Sequence, residues 1–194
     1  CYQLAEIVLK ERWLAAAGME HLRDLSPDRL GVTANDVIRA LTLLPARPSR
    51  DDLPALLPSA RQDDLRRILA SHADVGPYNL RGAALFGISE CMRSERFAEA
   101  LANGDLETIA RFMNASHDGD RAASWNNGEA APFAVDTSDA ALLRLAADTV
   151  DLTACSGAYT CSTPDIDRMV DLARAVPGVV GDGDLHQPAL AVRV

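Results

Sequence analysis

An Asn-Gly-Asp break between two stretches of helical periodicity constrains the fold of this chain most strongly. Residues 81–101 repeat apolar side chains at the spacing of one helix face, which predicts a long helix that begins near Arg81. Asn103-Gly104 is typical of a helix end. Asp105 is a favourable N-cap residue for a second helix, which we expect to run to about Ser116. The middle of the chain is therefore predicted to be two consecutive helices.

Cap residues and periodicity predict further helices on both sides of this pair. Thr33 and Asp36 have the spacing of a capping box, and Thr163-Pro164 is a strong helix start. The other predicted helices are 3–17, 61–72 and one that Ser138 caps. Four prolines between residues 45 and 60 predict a loop with short turns, and residues 124–137 are predicted to be a loop with short extended pieces.

A strand pattern is predicted at the end of the chain. Val179–Gly181 and 189–194 are expected to form an antiparallel hairpin, with Leu190, Val192 and Val194 facing the apolar face of the preceding helix. That face consists of Ile166, Met169, Val170 and Ala173. The predicted fold class is α+β, mainly helical with a small antiparallel sheet. We expect residues 1–60 to form a helical extension with a Pro-rich connection, and residues 61–194 to form the domain proper.

Charge and composition exclude some classes of partner. The formal net charge is −9 and the basic residues are not clustered, so a nucleic-acid partner is not expected. No apolar run is long enough to cross a bilayer, and no signal peptide is visible, so we expect a cytoplasmic protein without a membrane partner. The four cysteines match no zinc or redox spacing and are predicted to be reduced thiols. The chain begins in the middle of a helical pattern, which we expect to reflect a cut.

Two polar segments admit both a functional and a structural interpretation. Residues 116–121 read Ser-His-Asp-Gly-Asp-Arg. In the functional interpretation they form a polar corner beside a ligand pocket. In the structural interpretation they form an acidic turn after a helix, and His117 complements the helix dipole. The glycine-rich residues 178–183 form either a phosphate-facing loop or a hairpin connection. The residues by themselves favour the structural interpretation in both places.

Four stretches, taken in order, resemble galactokinase-type sugar kinases of the GHMP kinase superfamily. Residues 81–101 resemble the long helix of the family's second half, and Asn103 to His117 resembles its segment that ends in Ser-His. Residues 159–167, Tyr-Thr-Cys-Ser-Thr-Pro-Asp-Ile-Asp, resemble its Ser-Thr/Cys-Pro-Glu segment. Residues 175–181, Ala-Val-Pro-Gly-Val-Val-Gly, resemble the entry into its third motif. Residues 1–9 also resemble the helix that follows the substrate-contacting tyrosine of the family.

The resemblance implies ATP-dependent, magnesium-dependent phosphorylation of a hexose such as galactose at its anomeric hydroxyl. The family's catalytic aspartate and arginine and its phosphate loop belong to the N-terminal half, and no matching positions occur in these 194 residues. The chain therefore resembles a C-terminal half, expected to be inactive alone and to hold no catalytic or metal-binding residue. Site-shaping residues that do not contact the substrate are expected at Ser116, His117, Ser162, Gly181 and Gly183.

The chain departs from the family pattern in the third motif. Residues 181–188 lack the paired glycines of that motif, which weakens the expectation of a close backbone approach to phosphate. An alternative is therefore a non-catalytic relative that binds sugar or nucleotide to regulate a partner. A third possibility is an unrelated helical interaction module.

Overall fold

The computed structural model describes residues 1–74 and 76–179. Its α-helices are α1 (Tyr2–Arg12), α2 (Pro27–Leu30), α3 (Ala34–Ala40), α4 (Gln62–Leu69), α5 (Leu80–Ala102), α6 (Leu106–Asp120), α7 (Asp139–Leu145) and α8 (Pro164–Arg174). Short 3-10 helices lie at Leu14–Ala16, Leu22–Asp24, Leu41–Leu43, Arg50–Leu56, Ser59–Arg61 and Leu152–Ala154. The strands β1 (Ala123–Asn126) and β2 (Glu129–Pro132) form a two-stranded antiparallel sheet. The described part is mainly helical with a small antiparallel sheet, as predicted.

Helix α5 lies at the centre of the fold, and most of its buried residues are apolar; Arg81, Ser89 and Arg93 are its buried polar residues. Its residues Leu80, Leu85 and Ile88 are buried in a cluster that also takes in α1, α3 and α7. The cluster includes residues from both predicted parts of the chain, from Leu4 to Cys155. The predicted boundary near residue 60 remains a prediction.

Local cap signals place most helix starts correctly. Thr33 and Asp36 form the predicted capping box, and Asp105, Ser138 and Thr163 each accept a backbone N–H of the helix that follows. Helix α1 is shorter than the predicted 3–17. It ends at Arg12 because the backbone of Trp13 is extended, and a 3-10 turn follows.

Helix α6 is longer than predicted, and this changes the place of His117. The sequence predicted a helix to about Ser116 followed by a polar turn over 117–121, whereas the helix continues to Asp120. That prediction was wrong because the polar side chains after Ser116 also contact a neighbouring helix, whereas a polar turn would expose them only to solvent. Asp118 and Arg121 find charged partners on α8, so the polar residues are compatible with a helix in contact with its neighbour.

The sheet lies where a loop with short extended pieces was predicted. Asn127 and Gly128 both have positive φ angles, 51° and 87°, and connect β1 to β2. An Asn-Gly pair is the usual sequence of a two-residue hairpin turn, and that signal was available in the sequence. Each strand has only four residues, and β2, Glu-Ala-Ala-Pro, does not alternate apolar and polar residues, which is why the pattern did not indicate strands.

Helix α8 buries a charged residue and exposes apolar ones. Asp167 is fully buried, whereas Ile166 and Met169 are 47% and 66% exposed. The hairpin predicted to cover that apolar face, with strands at 179–181 and 189–194, lies outside the described residues apart from Val179. Val179 donates its N–H to the carbonyl oxygen of Val176 across a turn.

Candidate functional site

Three distant segments meet at one corner of the molecule: the start of α5, the end of α6 and the loop over residues 155–163. The N–H of Ala158 donates to the carbonyl oxygen of Gly82 at 2.9 Å, and the N–H of Tyr159 donates to that of Gly119 at 2.6 Å. The backbone N–H of Cys161 donates to Asp120 Oδ1 at 2.8 Å. The loop is therefore hydrogen-bonded to both helices.

Two glycines allow this close approach. A Cβ atom on Gly119 would lie 2.1 Å from the carbonyl oxygen of Ser156, and one on Gly157 would lie 2.3 Å from the backbone N of Phe86. Gly157 also has a φ of +66°, a conformation that residues with a side chain rarely adopt. The corner therefore requires glycine at both positions.

A buried polar cluster joins the end of α6 to the start of α8. His117 Nε2 lies 3.3 Å from Asp167 Oδ1, and the hydroxyl of Ser162 lies beside the same carboxylate. All three atoms are buried, and none has a partner in full hydrogen-bond geometry. A buried polar atom without a full hydrogen bond costs about 1–3 kcal/mol, so this cluster is a feature that packing alone does not account for.

Asp167 is held in its charged form. Burial alone would raise the pKa of its carboxyl group, but the Ser162 hydroxyl, the backbone N–H groups of Ala123 and Ala122 and the charge of Arg121 outweigh burial and lower that pKa. The two N–H groups donate to Asp167 Oδ2 at 2.8 and 3.0 Å. Asp167 therefore fixes the junction between α6 and β1 as well as facing His117.

His117 is held in its neutral form near neutral pH. Burial, followed by the nearby charges of Arg121 and Arg174, lowers the pKa of its imidazole below 6.5, against the opposing effect of Asp167 and Asp118. A neutral imidazole carries one N–H donor and one acceptor. A ring that donates from Nε2 toward Asp167 keeps Nδ1 as its acceptor.

Charged side chains clamp α8 to α6 around this cluster. The buried guanidinium of Arg121 donates two hydrogen bonds to the Asp171 carboxylate, at 2.6 and 2.9 Å. Arg174 donates to Asn114 Oδ1 at 2.8 Å and to Asp118 Oδ1 at 2.7 Å. Planar pairs of this kind fix orientation as well as distance, so they set the position of Asp167 relative to His117.

A cavity of about 370 Å³ opens between α5 and α6 beside the cluster. Its apolar wall consists of Phe97, Phe112 and Met113, and its polar wall consists of Glu90, Arg93, Ser94, Ser116, His117 and Asp120. Its volume lies at the lower end of the range seen for small-molecule sites.

Stacked aromatic rings lie at the same corner. The ring of Tyr159 stacks on those of Tyr2 and Phe86, with centroid distances of 5.4 and 5.2 Å. The next residue, Thr160, has a φ of +60°, which is strained for a β-branched residue. The loop hydrogen bonds to Gly119 and Asp120 hold this conformation, and strained residues of this kind concentrate at functional sites.

The structure brings together three of the five predicted site residues. Ser116 and His117 lie in the last turns of α6. The hydroxyl of Ser162 lies beside the Asp167 carboxylate, which also faces His117. Gly181 and Gly183 lie outside the described residues. Sequence reasoning did not select Asp167, because an acidic residue in the first turn of a helix has an ordinary stabilising role there, and it considered Asp120 only as part of the polar segment 116–121.

Within residues 1–74 and 76–179, no three His, Cys, Asp or Glu side chains are grouped so that they could hold a metal ion. The expectation of ATP and Mg²⁺ therefore remains a prediction. In the same part of the chain no helix has the length and apolar character needed to span a membrane.

Comparison of the chain with protein-family models found no match, and comparisons with curated proteins and with solved structures found no match either.

Proposed function

We propose that this chain is the C-terminal part of a galactokinase-like sugar kinase, which phosphorylates a hexose such as galactose at its anomeric hydroxyl with ATP and Mg²⁺. The observation that carries the proposal is the meeting of the resemblance-bearing segments at one corner. The long helix and the Ser-His segment are consecutive, whereas the Ser-Thr-Pro-Asp segment follows about 40 residues later. They are joined by the Phe86–Tyr159 stack, the hydrogen bond from Cys161 to Asp120 and the His117–Asp167 contact.

A shared corner supports a common role because scattered motifs of an unrelated helical module have no reason to converge. The convergence also depends on residues within those motifs. Asp167 of the Ser-Thr-Pro-Asp segment faces His117 of the Ser-His segment, and Gly119, two residues after that segment, permits the close approach of the loop. In the proposed kinase these residues shape the site, while phosphoryl transfer itself uses the phosphate loop and catalytic residues of a preceding segment.

An alternative function rests on a different observation. The third motif lacks its paired glycines over residues 181–188, which favours a galactokinase-like protein that binds sugar or nucleotide without turnover and regulates a partner. Both functions imply the same fold, so a measurement of kinase activity is needed to distinguish them.

The test is sugar-dependent ADP release by the product of the complete gene, assayed with ATP, Mg²⁺ and a panel of hexoses. We expect release with galactose or a close hexose, and none from the 194-residue chain alone, because positioning and charge stabilisation supply nearly all phosphoryl-transfer catalysis. Binding of sugar or ATP without ADP release would favour the regulatory alternative. If the protein neither binds sugar or ATP nor releases ADP, both functions are contradicted.

A further inference from the structure

We propose that the outward apolar face of α8 is a docking surface for residues 185–194 of this chain, and that their docking holds Asp167 against His117. The face consists of Ile166, Met169 and Leu172 of α8 and of Val176 in the turn that follows. The alternation of apolar residues in the sequence predicts a contact of this segment with α8, whereas the reversed polarity of α8 and its link to His117 are visible only in the structure. The inference does not depend on the proposed kinase function, because it concerns what holds α8 against the rest of the fold.

The polarity of α8 is reversed compared with that of an ordinary surface helix. Its side toward α6 and β1 is charged: Asp167 accepts backbone N–H groups at the start of β1, and Arg174 pairs with a carboxylate of α6. The opposite side carries Met169, Leu172 and Val176 at the helical spacings of three and four residues. A surface helix usually turns its apolar side inward and its charged side to water, so the outer side of α8 has the character of a face that another segment covers.

The apolar side is strongly exposed within the described residues. Met169 and Leu172 are 66% and 60% exposed. Of the eleven large apolar side chains that the described part exposes, five lie between Ile166 and Val179. Burial of apolar surface is the main favourable contribution to folding, and exposed apolar residues grouped on one face mark a contact surface.

Residues 185–194 are the occupant that the sequence favours. Leu190, Val192 and Val194 occupy alternate positions, and Leu185 precedes them, six positions after Val179. An extended chain spans about 3.3 Å per residue, so six residues cover about 20 Å, whereas the helix of α8 is about 16 Å long. The segment can therefore reach every part of the face. Because it is tethered, its effective concentration is on the order of mM, which a second copy of the chain does not reach in dilute solution.

Docking on the outer side of α8 affects the inner side because both belong to one helix. Asp167 Oδ2 accepts the N–H groups of Ala122 and Ala123, and Asp167 Oδ1 lies 3.3 Å from His117 Nε2. These contacts require α8 to lie against α6 and β1. A segment that covers the apolar face therefore stabilises the contact between Asp167 and His117, and its loss weakens that contact.

Thiol labelling tests whether the face is covered. Leu172→Cys on α8 and Leu143→Cys on α7 introduce thiols at positions that are 60% and 51% exposed within the described residues, and peptide mass spectrometry separates them from the native cysteines. We expect position 172 to be labelled at least about tenfold more slowly, because burial of a leucine-sized side chain contributes at least that factor. Equal rates would overturn the proposal. Protection that disappears on dilution would come from a second copy and would also overturn it.

Two triple variants of the 194-residue chain test whether the stated segment is the occupant. The first combines Leu190→Ser, Val192→Ser and Val194→Ser. The matched control changes the intervening positions and combines Ala189→Ser, Ala191→Ser and Arg193→Ser. We expect the first set to restore fast labelling at position 172 and the control set to leave it slow. The same labelling rate in both sets would show that residues 185–194 do not dock through their alternate apolar side chains.

Amide hydrogen exchange in the same variants tests the link to Asp167. We expect the first set to speed exchange of Ala122 and Ala123 by at least about tenfold, while Val8 and Leu9 in the buried part of α1 keep their rates. Unchanged exchange at Ala122 and Ala123 would overturn the link. Equal acceleration in α1 would mean that the whole fold opens, and it would overturn the link as well.

Discussion

His117 Nε2 in the last turn of α6 lies 3.3 Å from Asp167 Oδ1 in α8, although the two residues are fifty positions apart in the sequence. Asp167 also accepts the N–H groups of Ala122 and Ala123, so one buried carboxylate connects the end of α6, the start of β1 and the start of α8. The proposed site depends on this connection.

The first prediction is that Asp167→Asn destabilises the fold. Asparagine has one acceptor oxygen in place of two, and its amide group would place N–H donors against the ring of His117 or the backbone N–H groups. We expect a loss of about 1–3 kcal/mol in the free energy of unfolding by urea. The control is Asp165→Asn on the exposed first turn of the same helix, which should cost less than about 1 kcal/mol. Similar losses in the two variants would contradict the buried role of Asp167.

The second prediction concerns the pH dependence of stability. Burial and the charges of Arg121 and Arg174 lower the pKa of His117 in the folded state, so the unfolded chain binds a proton more readily. The contribution of His117 to the free energy of unfolding should therefore be fully present above its unfolded pKa of 6.5. It should decrease as the pH drops from there toward the folded pKa.

Urea unfolding at pH 7.5 and pH 5.5 tests this dependence, with His117→Gln as the control. We expect the wild-type chain to lose more stability than the variant between the two pH values, because glutamine does not titrate. Asp167 titrates well below this window, since its pKa is lowered from 3.8. An equal loss in both proteins, or a gain in the wild type, would show that the folded pKa of His117 is not lowered.

The third prediction is that Gly119→Ala is costly. The new Cβ would lie 2.1 Å from the carbonyl oxygen of Ser156 and 2.5 Å from the ring of Phe86, so the loop must move away from α6. We expect a loss of about 1–3 kcal/mol or more in the free energy of unfolding. Gly18→Ala is the matched control, because a Cβ there meets nothing within 4 Å, and its stability should change by less than about 0.5 kcal/mol. A tolerated Gly119→Ala would contradict the close approach.

The fourth prediction concerns thiol reactivity. Burial raises the pKa of Cys155 to about 12, whereas Cys1 and Cys161 are exposed. Because the thiolate is the reactive form, an aromatic disulfide reagent at pH 8 should modify Cys1 and Cys161 quickly and Cys155 only after unfolding. Mass spectrometry of peptides from the native chain measures the order. Rapid labelling of Cys155 in the native chain would show that the 152–155 turn does not bury it.

Local signals predicted helix starts well and tertiary features poorly. The caps at Thr33, Asp105 and Thr163 need only neighbours in sequence, and all three are confirmed. The end of α6 was misjudged because its polar residues are satisfied by α8, a partner that no local pattern reveals. The same limit applies to the site: Ser116, His117 and Ser162 were selected from a resemblance, whereas Asp167 has an ordinary helix-start position and only the fold places it against His117.

We propose that this chain belongs to a kinase that acts on the anomeric hydroxyl of a hexose. The most direct measurement is ³¹P NMR of galactose incubated with ATP, Mg²⁺ and the product of the complete gene. We expect a new signal from a sugar phosphate whose phosphorus couples to the anomeric proton, and it should grow as ATP is consumed. An unchanged ATP spectrum with galactose and every other hexose tested, or a phosphate on a different hydroxyl, would contradict it.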